Sequence, residues 1–354
     1  MSFQRTSTYE TLESRCLAVG IQDAIELWWK LNLLRTLASD GLPRIGLTSS
    51  NLTRRTLPPL AWNQALAESS RDHAEEMSVH NYFAHQSAVD GRWPNQMVRD
   101  AGYPLPPSLS DGRNDVETIL AGERFSEVDD VLLAMLANST AQAQLFPDNN
   151  SGALTTEIGI GNGSNEASTF DHYWSTHVAG RHQGERFITG VAYSDQNGNR
   201  NFDAGEGTAG IRVRTGELET ITDSNGVYSL PVAGGRHVIT FHDQQQQPLN
   251  KTMISVNDRS VAVDLRLNDA NLEVNYRIRS WWTNADNHVD VNRDRFVNPI
   301  DALIIINHLN RSGTRSFGTP AENEAYMQHA VDTNGDSNLN ATDALVVINY
   351  LNRR

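Results

Sequence analysis

One acidic pattern occurs twice near the C-terminal end of the chain, and it restricts the fold of that region more than any other feature. The second copy begins 42 residues after the first. In both copies, side chains that carry oxygen occupy positions 1, 3, 5, 9 and 12 of a twelve-residue segment. They are Asp290, Asn292, Asp294, Asn298 and Asp301 in the first copy, and Asp332, Asn334, Asp336, Asn340 and Asp343 in the second.

This spacing favours a metal site over a solvated turn. A calcium ion takes about six to eight oxygen ligands at about 2.3–2.6 Å, and oxygens at these positions let one segment wrap around it. A single Asp-x-Asn-x-Asp sequence is usually an Asx turn, but here both copies run into a helix with an apolar stripe. The stripes are Ile300, Leu303, Ile304 and Leu309 after the first copy, and Ala341, Ala344, Leu345, Ile348 and Leu351 after the second. We therefore predict two calcium sites in the tail.

The duplicated loop and helix resembles the type I dockerin, a calcium-folded module through which secreted bacterial proteins bind cohesin-bearing partners. The resemblance implies an EF-hand-like helical pair over residues 284–354 and a cohesin-like or other surface protein as the partner. It also implies that positions 10 and 11 of each loop set partner specificity. These positions hold Pro299, Ile300, Ala341 and Thr342. In two respects the sequence departs from the family pattern: position 6 is Arg295 or Ser337 instead of Gly, and the repeat offset is longer than usual.

The charge balance of the chain restricts its other partners. Lys and Arg number 29 against 43 Asp and Glu, which gives a net charge of −14. This balance argues against nucleic acid and anionic membranes as partners. No apolar run reaches the roughly 18 residues of a membrane span, so none is expected. The single cysteine, Cys16, excludes an internal disulfide, but calcium can stabilise an extracellular fold where disulfides are lacking.

Residues 1–21 are expected to precede the first domain. An ordinary signal peptide is not expected, because charged residues interrupt the early apolar run at residues 25–34. The segment from Tyr9 to Val19 resembles a short Leu-Glu-Xaa-Arg-Xaa-Leu motif near the start of many multi-domain secreted bacterial proteins. That resemblance implies an export or sorting role, and a frayed terminus is the alternative reading.

Residues 22–181 combine helical periodicity with two strand-like segments. Apolar residues recur at helical spacing over residues 23–39, 60–77, 93–101 and 128–139, whereas residues 157–161 and 172–178 read as strands. Short blocks in this region resemble the CAP superfamily, also called SCP domains. The blocks are Leu60-x-Trp62-Asn63, Tyr82-Phe-Ala-His85, Ala101-Gly-Tyr103, Val116-Glu-Thr118, Asn138-Ser139 and Thr156-Glu-Ile-Gly-Ile-Gly161. The resemblance implies a three-layer α–β–α sandwich with a central cleft lined by two His and two Glu.

Carried onto this sequence residue by residue, the resemblance places His85, Glu117 and Glu157 in the cleft. Gln142 stands where the family has its second histidine. An amide oxygen is a poor substitute for an imidazole nitrogen on zinc, so we expect no zinc. For His85 alone, a buried structural histidine is an equally good reading. Two carboxylates are also the minimum for acid–base hydrolysis, but no G-x-S-x-G or H-E-x-x-H motif accompanies them.

Beyond a linker at residues 182–185 the pattern changes from helical to alternating. Several short strands with Asn-Gly and Gly-Gly turns predict a small β-sandwich over residues 187–267. Between its first two strands, oxygens at positions 1, 3, 5, 7, 9 and 12 of a loop predict a third calcium site. They belong to Asp195, Asn197, Asn199, Asn201, Asp203 and Glu206. An acidic loop without metal is the alternative. The region resembles B-type or carboxypeptidase-regulatory-like domains of bacterial surface proteins, which implies an Ig-like or prealbumin-like spacer.

The sequence as a whole predicts a multi-domain α+β protein: an α–β–α sandwich, then an all-β sandwich, then an α-helical EF-hand-like pair. This order is typical of a secreted or surface-displayed bacterial protein. The leading hypothesis is a non-catalytic protein whose tail docks to a surface partner and whose cleft binds a small or lipid-like ligand. One alternative is a secreted hydrolase of polysaccharide or peptide that uses Glu117 and Glu157. Another is a structural adhesin with an inert cleft.

Overall fold

The computed structural model describes residues 12–47, 57–147, 155–181, 185–256, 259–268, 271–275, 284, 287–292, 294, 296–316, 329–334 and 338–352. Residues 1–11 of the export-like segment and Asp336 of the second acidic loop lie outside these ranges. Within them, no helix is both long and apolar enough to cross a membrane. The predicted mixture of helices and several sheets is confirmed.

The helices and strands have the following bounds. The helices are α1 (Leu12–Leu37), α2 (Gln64–His80), α3 (Pro94–Asp100), α4 (Val128–Ala137), α5 (Ser139–Leu145), α6 (Pro299–Ser312) and α7 (Ala341–Leu351), with short 3-10 helices at Ala38–Ile45 and Glu123–Ser126. The first strands are β1 (Ala61–Trp62), β2 (Glu117–Ala121), β3 (Glu157–Asn165), β4 (Asp171–Ala179), β5 (Phe187–Tyr193), β6 (Arg212–Thr215) and β7 (Leu218–Ile221). The others are β8 (Val227–Pro231), β9 (Gly235–His242), β10 (Pro248–Val256), β11 (Val261–Arg266), β12 (Asn271–Asn275), β13 (Arg315–Ser316) and β14 (Asn338–Leu339).

The N-terminal domain has helices on both faces of one sheet. Its strands lie in the order β1, β3, β4, β2, and only β1 and β3 run parallel. α2 lies very close to one face because β3 presents glycine there. A Cβ atom on Gly159 or Gly161 would come within 2.0 or 2.1 Å of the α2 backbone. On the opposite face Ile160 and Trp174 pack with Trp28 of α1 in a buried cluster that α4 also joins.

α2 brings polar side chains against the sheet. Asn63 starts the helix, because its side chain accepts a hydrogen bond from the N–H of Leu66 at 3.2 Å. Asn81 ends it in the left-handed region, with φ 53°. Between these caps Ser70 and His73 are buried on the face that packs on β3 and β4. A buried imidazole needs hydrogen-bond partners, so the strands beneath α2 must supply them.

The middle of the chain forms a β-sandwich of two four-stranded sheets. One sheet has the order β10, β9, β6, β7, and the other has the order β12, β11, β5, β8. Val213 and Phe241 of the first sheet pack with Ile188 and Val263 of the second. The alternating segments at residues 187–193, 211–213, 227–230, 238–241 and 261–265 predict strands, and β5, β6, β8, β9 and β11 lie there. The sequence does not predict β7, β10 or β12. Polar side chains interrupt the alternation in β7 and β10, whereas β12 alternates but lies beyond residue 267, the expected end of the sandwich.

The sandwich packs directly on α1. Trp29 Nε1 donates a hydrogen bond to Asp264 Oδ2 at 2.9 Å, and the N–H of Val191 donates to Asp264 Oδ1 at 2.9 Å. Val191, Tyr193 and Phe202 are buried in the same cluster as Trp29. The N-terminal domain and the sandwich therefore share a core, whereas the sequence indicated a spacer behind a linker.

The tail is a small unit of two helices. α6 and α7 pack on each other around a core that includes Val291, Ile305, Leu339 and Val347. β13 and β14 pair in an antiparallel way beside this core. Each helix starts within its acidic loop, so the loops and the helix pair form one structure.

The contact between β3 and α2 gives a test of the fold. We expect Gly161→Ala to lower the free energy of unfolding by about 1–3 kcal/mol, because the new methyl group would push α2 away from the sheet. Gly112→Ala is the matched control, since a Cβ atom there meets nothing within 4 Å. It should change stability by less than about 0.5 kcal/mol. Urea unfolding followed by circular dichroism measures both, and equal stability of the two variants would contradict this packing.

Candidate functional site

Glu117 on β2 is the centre of a buried polar cluster in the N-terminal domain. Its Oε1 accepts hydrogen bonds from His73 Nδ1 at 2.6 Å, from His177 Nε2 at 3.1 Å and from Ser175 Oγ at 2.8 Å. Its Oε2 accepts one from His85 Nδ1 at 2.8 Å. Three imidazole rings from α2, β4 and the segment after α2 thus surround one carboxylate.

The cluster keeps Glu117 ionised. Burial alone would raise the pKa of this carboxyl, but hydrogen bonds from the three histidines hold the pKa well below its ordinary value of 4.5. Each imidazole nitrogen that faces the carboxylate therefore carries a hydrogen. His73 and His177 are buried, whereas the side chain of His85 is 37% exposed. His85 is the member of the cluster that a ligand can reach.

His85 and Glu117 lie in one site, as the sequence blocks predict, but those blocks do not include the other two histidines. His73 shares a helical face with Leu66 and Met77, so its direction could be read from the sequence. The position of His177 follows only from the pairing of β2 with β4, in which His177 lies opposite Glu117. The sequence does not reveal that pairing.

Glu157 on β3 is buried in a different network. It accepts hydrogen bonds from Asn63 Nδ2 at 2.7 Å, from Tyr103 Oη at 2.8 Å and from Arg181 Nη2 at 3.1 Å. β4 lies between β2 and β3 in the sheet. Glu117 lies opposite His177 of β4, and Glu157 lies opposite Ala179, two residues further along β4. The Cα atoms of the two residues are therefore about 12 Å apart. The two carboxylates share no partner among these contacts.

Gln142 lies away from the Glu117 cluster. Its Nε2 donates a hydrogen bond to the carbonyl of Leu136. Its helix, α5, packs Ala141 and Leu145 into the cluster that contains α1, whereas Glu117 faces α2. Of the four predicted cleft residues, the structure brings only His85 and Glu117 into contact.

The acidic loop between β5 and β6 is closed by hydrogen bonds among its own residues. Asp203 Oδ2 accepts from Asn197 Nδ2 at 2.9 Å and from Asn199 Nδ2 at 2.7 Å. Asp195 and Glu206 accept from backbone N–H groups of the loop. Burial raises the pKa of Glu206, and the charges of Asp203 and Asp195 raise it further. A cation among these oxygens would reverse that effect.

Asn201 has another role in this loop. Its Nδ2 donates to the carbonyl of Arg44 at 2.7 Å, and its Oδ1 accepts from Arg44 Nη2 at 3.3 Å. Asn201 therefore contacts the segment after α1. The other five of the six predicted residues form hydrogen bonds within the loop or with Asn268, which follows β11.

The two tail loops are closed in the same way by their twelfth residues. In the first loop, Asp301 accepts hydrogen bonds from the backbone N–H groups of positions 2 and 9, at 2.7 and 2.9 Å. In the second, Asp343 accepts the same two bonds, both at 2.9 Å. Neither aspartate has any exposed surface. Asp290 and Asp332, at position 1, are also buried, so each loop buries an acidic residue at both of its ends.

Position 9 of each loop starts the following helix. Asn298 Oδ1 accepts a hydrogen bond from the N–H of Ile300 at 2.8 Å, and Asn340 Oδ1 accepts one from the N–H of Thr342 at 2.7 Å. Together with the twelfth-residue aspartates, these asparagines form capping boxes. In the first loop, Asn292 Nδ2 also donates to Asp294 Oδ2 at 2.8 Å. Loop closure and helix initiation therefore use the same residues.

The tail thus contains two equivalent loops. A buried aspartate closes each loop, and each loop starts one of two packed helices. Residues 288–352 match the family described as the dockerin type I domain. The prediction of a dockerin tail is confirmed. No match was found among curated proteins.

Two solved structures resemble parts of the chain. One is an extracellular protein containing an SCP domain from Bacillus anthracis str. Ames, with 18% identity and a TM-score of 0.32 over 49% of this chain. The similarity spans 45% of that protein's length. The other is an outer surface protein from Borrelia burgdorferi, with 16% identity and a TM-score of 0.30 over 45% of this chain and 92% of that one. Similarity at this level supports no functional inference.

The donors in the dockerin tail fit calcium. They are carboxylate and amide oxygens, the hard ligands that calcium prefers. Among the described residues of the two tail loops, no three acidic side chains are arranged to hold a metal ion. The loop carboxylates instead accept hydrogen bonds from backbone N–H groups. Calcium binding would therefore turn these oxygens toward the ion, which couples loop conformation to the metal.

The low pKa of Glu117 predicts how its contribution depends on pH. Its ionised form is stabilised in the folded state, so this stability is present above pH 4.5 and is lost as the pH falls below that value. We expect Glu117→Gln to lower the free energy of unfolding by at least about 2 kcal/mol at pH 7. The difference from the unaltered protein should narrow toward pH 3. Urea unfolding at several pH values measures it.

Glu219→Gln provides the control for this prediction. Arg214 and Arg212 also lower the pKa of Glu219, but these ion pairs lie on the surface, where solvent screens the charges. Substitution of Glu219 should therefore change the free energy of unfolding little at any pH. A constant difference between the Glu117→Gln protein and the unaltered protein from pH 7 to pH 3 would contradict the role given to Glu117.

Proposed function

We propose that this is a secreted or surface-displayed bacterial protein whose dockerin tail binds a cohesin-like surface protein in the presence of calcium. Its N-terminal domain serves as a ligand-binding module. The observation that carries the proposal is the duplicated tail loop, with a buried aspartate closing each copy. One such loop would be a local turn. Two equivalent loops that start two packed helices make a module whose shape depends on metal.

Apolar side chains on α6 and α7 give the tail a surface for a protein partner. Leu303 and Leu345 occupy equivalent places after the two loops and are 53% and 51% exposed. Ile306 and Ile348 are also equivalent, and both are 37% exposed. Exposed apolar groups arranged in this way mark protein contacts. The loop positions expected to set specificity are exposed at the starts of the same helices. These are Pro299, Ile300, Ala341 and Thr342.

The calcium requirement of the acidic loops supports an extracellular location. Clustered loop carboxylates repel one another without a cation. Extracellular calcium modules bind with dissociation constants of about 10⁻⁴–10⁻³ M, so they fill outside the cell. The net charge of −14 adds to this repulsion and so strengthens the requirement for a bound cation.

The N-terminal domain is better suited to binding than to hydrolysis. A general acid must hold a proton near neutral pH, but Glu117 is kept ionised by its histidines. Glu157 is held by Arg181 and two neutral donors in a separate network. His85 remains as a partly exposed imidazole beside a fixed carboxylate. We therefore assign this surface to a small or lipid-like ligand.

Calorimetry tests calcium binding by the tail. Asp290→Ala and Asp332→Ala should each remove one calcium site from the titration, because each substitution deletes the first ligand of one loop. Asp72→Ala is the control, since its side chain is 70% exposed on α2 and outside any loop. It should leave the number of sites unchanged. Unchanged stoichiometry in both loop variants would contradict the calcium sites.

Surface plasmon resonance with an immobilised type I cohesin tests docking. The protein should bind in calcium and dissociate in EGTA. The double change Leu303→Asp and Leu345→Asp should weaken binding by at least about tenfold, because charge on the apolar surface must be desolvated. Leu133→Asp is the matched control, since Leu133 is 40% exposed on α4. Equal binding in calcium and EGTA would contradict calcium-dependent docking.

The loop between β5 and β6 is proposed as a third calcium site. Asp195→Ala should remove one further site in calorimetry and should lower the melting temperature in calcium by a few degrees. Cohesin binding should be unaffected, because this loop lies outside the tail. A chain with Asp195→Ala that binds as much calcium as the unaltered chain would show that the loop is closed by hydrogen bonds alone.

A further inference from the structure

Among the described residues, no strand pairs with the outer edge of β3 over its second half. β1 pairs with β3 only at Glu157 and Ile158, because the chain leaves the sheet at Gln64 to form α2. Beyond these residues, as far as Asn165, β3 pairs with β4 on one side only. An edge strand of this kind is a template for pairing with another strand.

The hydrogen bonds of β1 show which backbone groups point outward from this edge. The carbonyl of Ile158 accepts a bond from the N–H of Asn63 at 2.9 Å, so Ile158 directs its backbone away from β4. Backbone groups alternate in direction along a strand, and those of Ile160, Asn162 and Ser164 therefore point outward as well. Within the described part of the chain, these outward groups have no backbone partner. Ile160 is only 2% exposed, whereas Asn162 is half-buried and Ser164 is exposed. The groups of Asn162 and Ser164 are therefore the ones that can bond an added strand.

A groove of about 720 Å³ runs along this edge. α2 forms one wall and the start of α1, at Gly20, Ile21, Asp23 and Ala24, forms the other. Ile160, Asn162 and Ser164 line the groove between these walls, and Phe125 and Trp174 line its inner side. Its volume lies within the range of about 300–1,000 Å³ that is typical of ligand sites. An extended segment would meet both a hydrogen-bonding edge and two flanking walls.

The walls of the groove are acidic. Asp23 on α1 and Glu68 and Glu75 on α2 line it. Arg71 lines it too, but this guanidinium is paired with Asp72 at 3.0 Å and with Glu75 at 3.7 Å. The surplus charge of the walls is negative, so a cationic side chain complements them.

Asp23 gives a second reason for a cationic ligand. Burial, together with the charges of Glu26 and Glu127, raises the pKa of Asp23 to about 6. A positive charge beside this carboxyl would favour its ionised form and offset the repulsion from its neighbours. An acidic or apolar side chain would not.

We propose that the groove along β3 residues 160–164 binds an extended peptide with a basic side chain, which adds to the four-stranded sheet as a fifth strand. Backbone hydrogen bonds supply affinity, and the acidic walls select Lys or Arg. A second copy of this chain is a poorer occupant, because each copy carries a net charge of −14 and the same acidic groove. The groove is separate from the Glu117 cluster and the dockerin tail, so the proposal does not depend on the function proposed above.

Fluorescence anisotropy with the full chain in calcium tests the proposal. The probe is a fluorescein-labelled ten-residue peptide of alternating Thr and Val that begins with Thr and carries Lys instead of Thr at positions 5 and 7. It should bind at least about tenfold more tightly than the same peptide with Glu in place of Lys. A version with N-methyl groups at alternate residues should also bind at least about tenfold more weakly, because it lacks N–H donors for the edge.

Two substitutions at one position separate the backbone from the side chain. Asn162→Pro removes the outward N–H but leaves the bonds to β4, as prolines at sheet edges do. It should weaken binding of the Lys peptide by at least about tenfold, whereas Asn162→Ala should stay within about threefold. Glu68→Gln combined with Glu75→Gln should reduce the preference for Lys over Glu. Melting curves show whether the proline variant folds. If it does not fold, binding of the N-methylated peptide alone tests whether backbone hydrogen bonds hold the ligand.

Three results would overturn the proposal. The first is no saturable binding of the Lys peptide, and the second is equal binding of the Lys and Glu peptides. The third is binding that neither N-methylation nor a folded Asn162→Pro variant weakens. If sedimentation instead shows a dimer of this chain that Asn162→Pro dissociates, a second copy occupies the edge and the peptide proposal is wrong.

Discussion

Buried carboxylates determine how the segments of this protein are held together. Glu117 links α2, β2 and β4, and Asp264 links α1 to two strands of the sandwich. Asp301 and Asp343 link the two ends of each tail loop. All four are 2% exposed or less. The cost of burying an ionised group is offset only where donors are fixed in position. These four residues therefore set where neighbouring segments must lie.

The extent to which the sequence predicts these links depends on how far apart the partners are in the chain. In the tail, the aspartate, its N–H donors and the helix cap all lie within twelve consecutive residues, so the spacing of residue types is enough to predict the closed loop. Glu117 has partners 44 residues before it and 60 residues after it. Asp264 bonds to Trp29 across 235 residues. Such partners follow only from strand pairing and packing, which local periodicity does not encode.

The glycines of β3 illustrate the same limit in packing. Gly159 and Gly161 stand in a segment whose strand character is visible in the sequence, yet their function is to admit α2, which comes nearly a hundred residues earlier. That close contact fixes α2 above β3 and β4, and it brings His73 within hydrogen-bonding distance of Glu117. The chain enters α2 straight after a two-residue β1, so β1 pairs with only the first part of the β3 edge. The glycines thus position the buried cluster, and the short β1 leaves room for the groove.

Two of the three acidic loops also lie where parts of the protein meet. In the loop between β5 and β6, Phe202 is buried against α1 and the N–H of Ala204 donates to Glu26 at 2.9 Å. In the second tail loop, Asn338 accepts a hydrogen bond from Arg236 of the sandwich at 2.7 Å. A cation bound in either loop would restrain residues that contact the neighbouring part. Calcium would then govern two properties together: the competence of the tail to dock, and the orientation in which the docked protein presents its N-terminal domain.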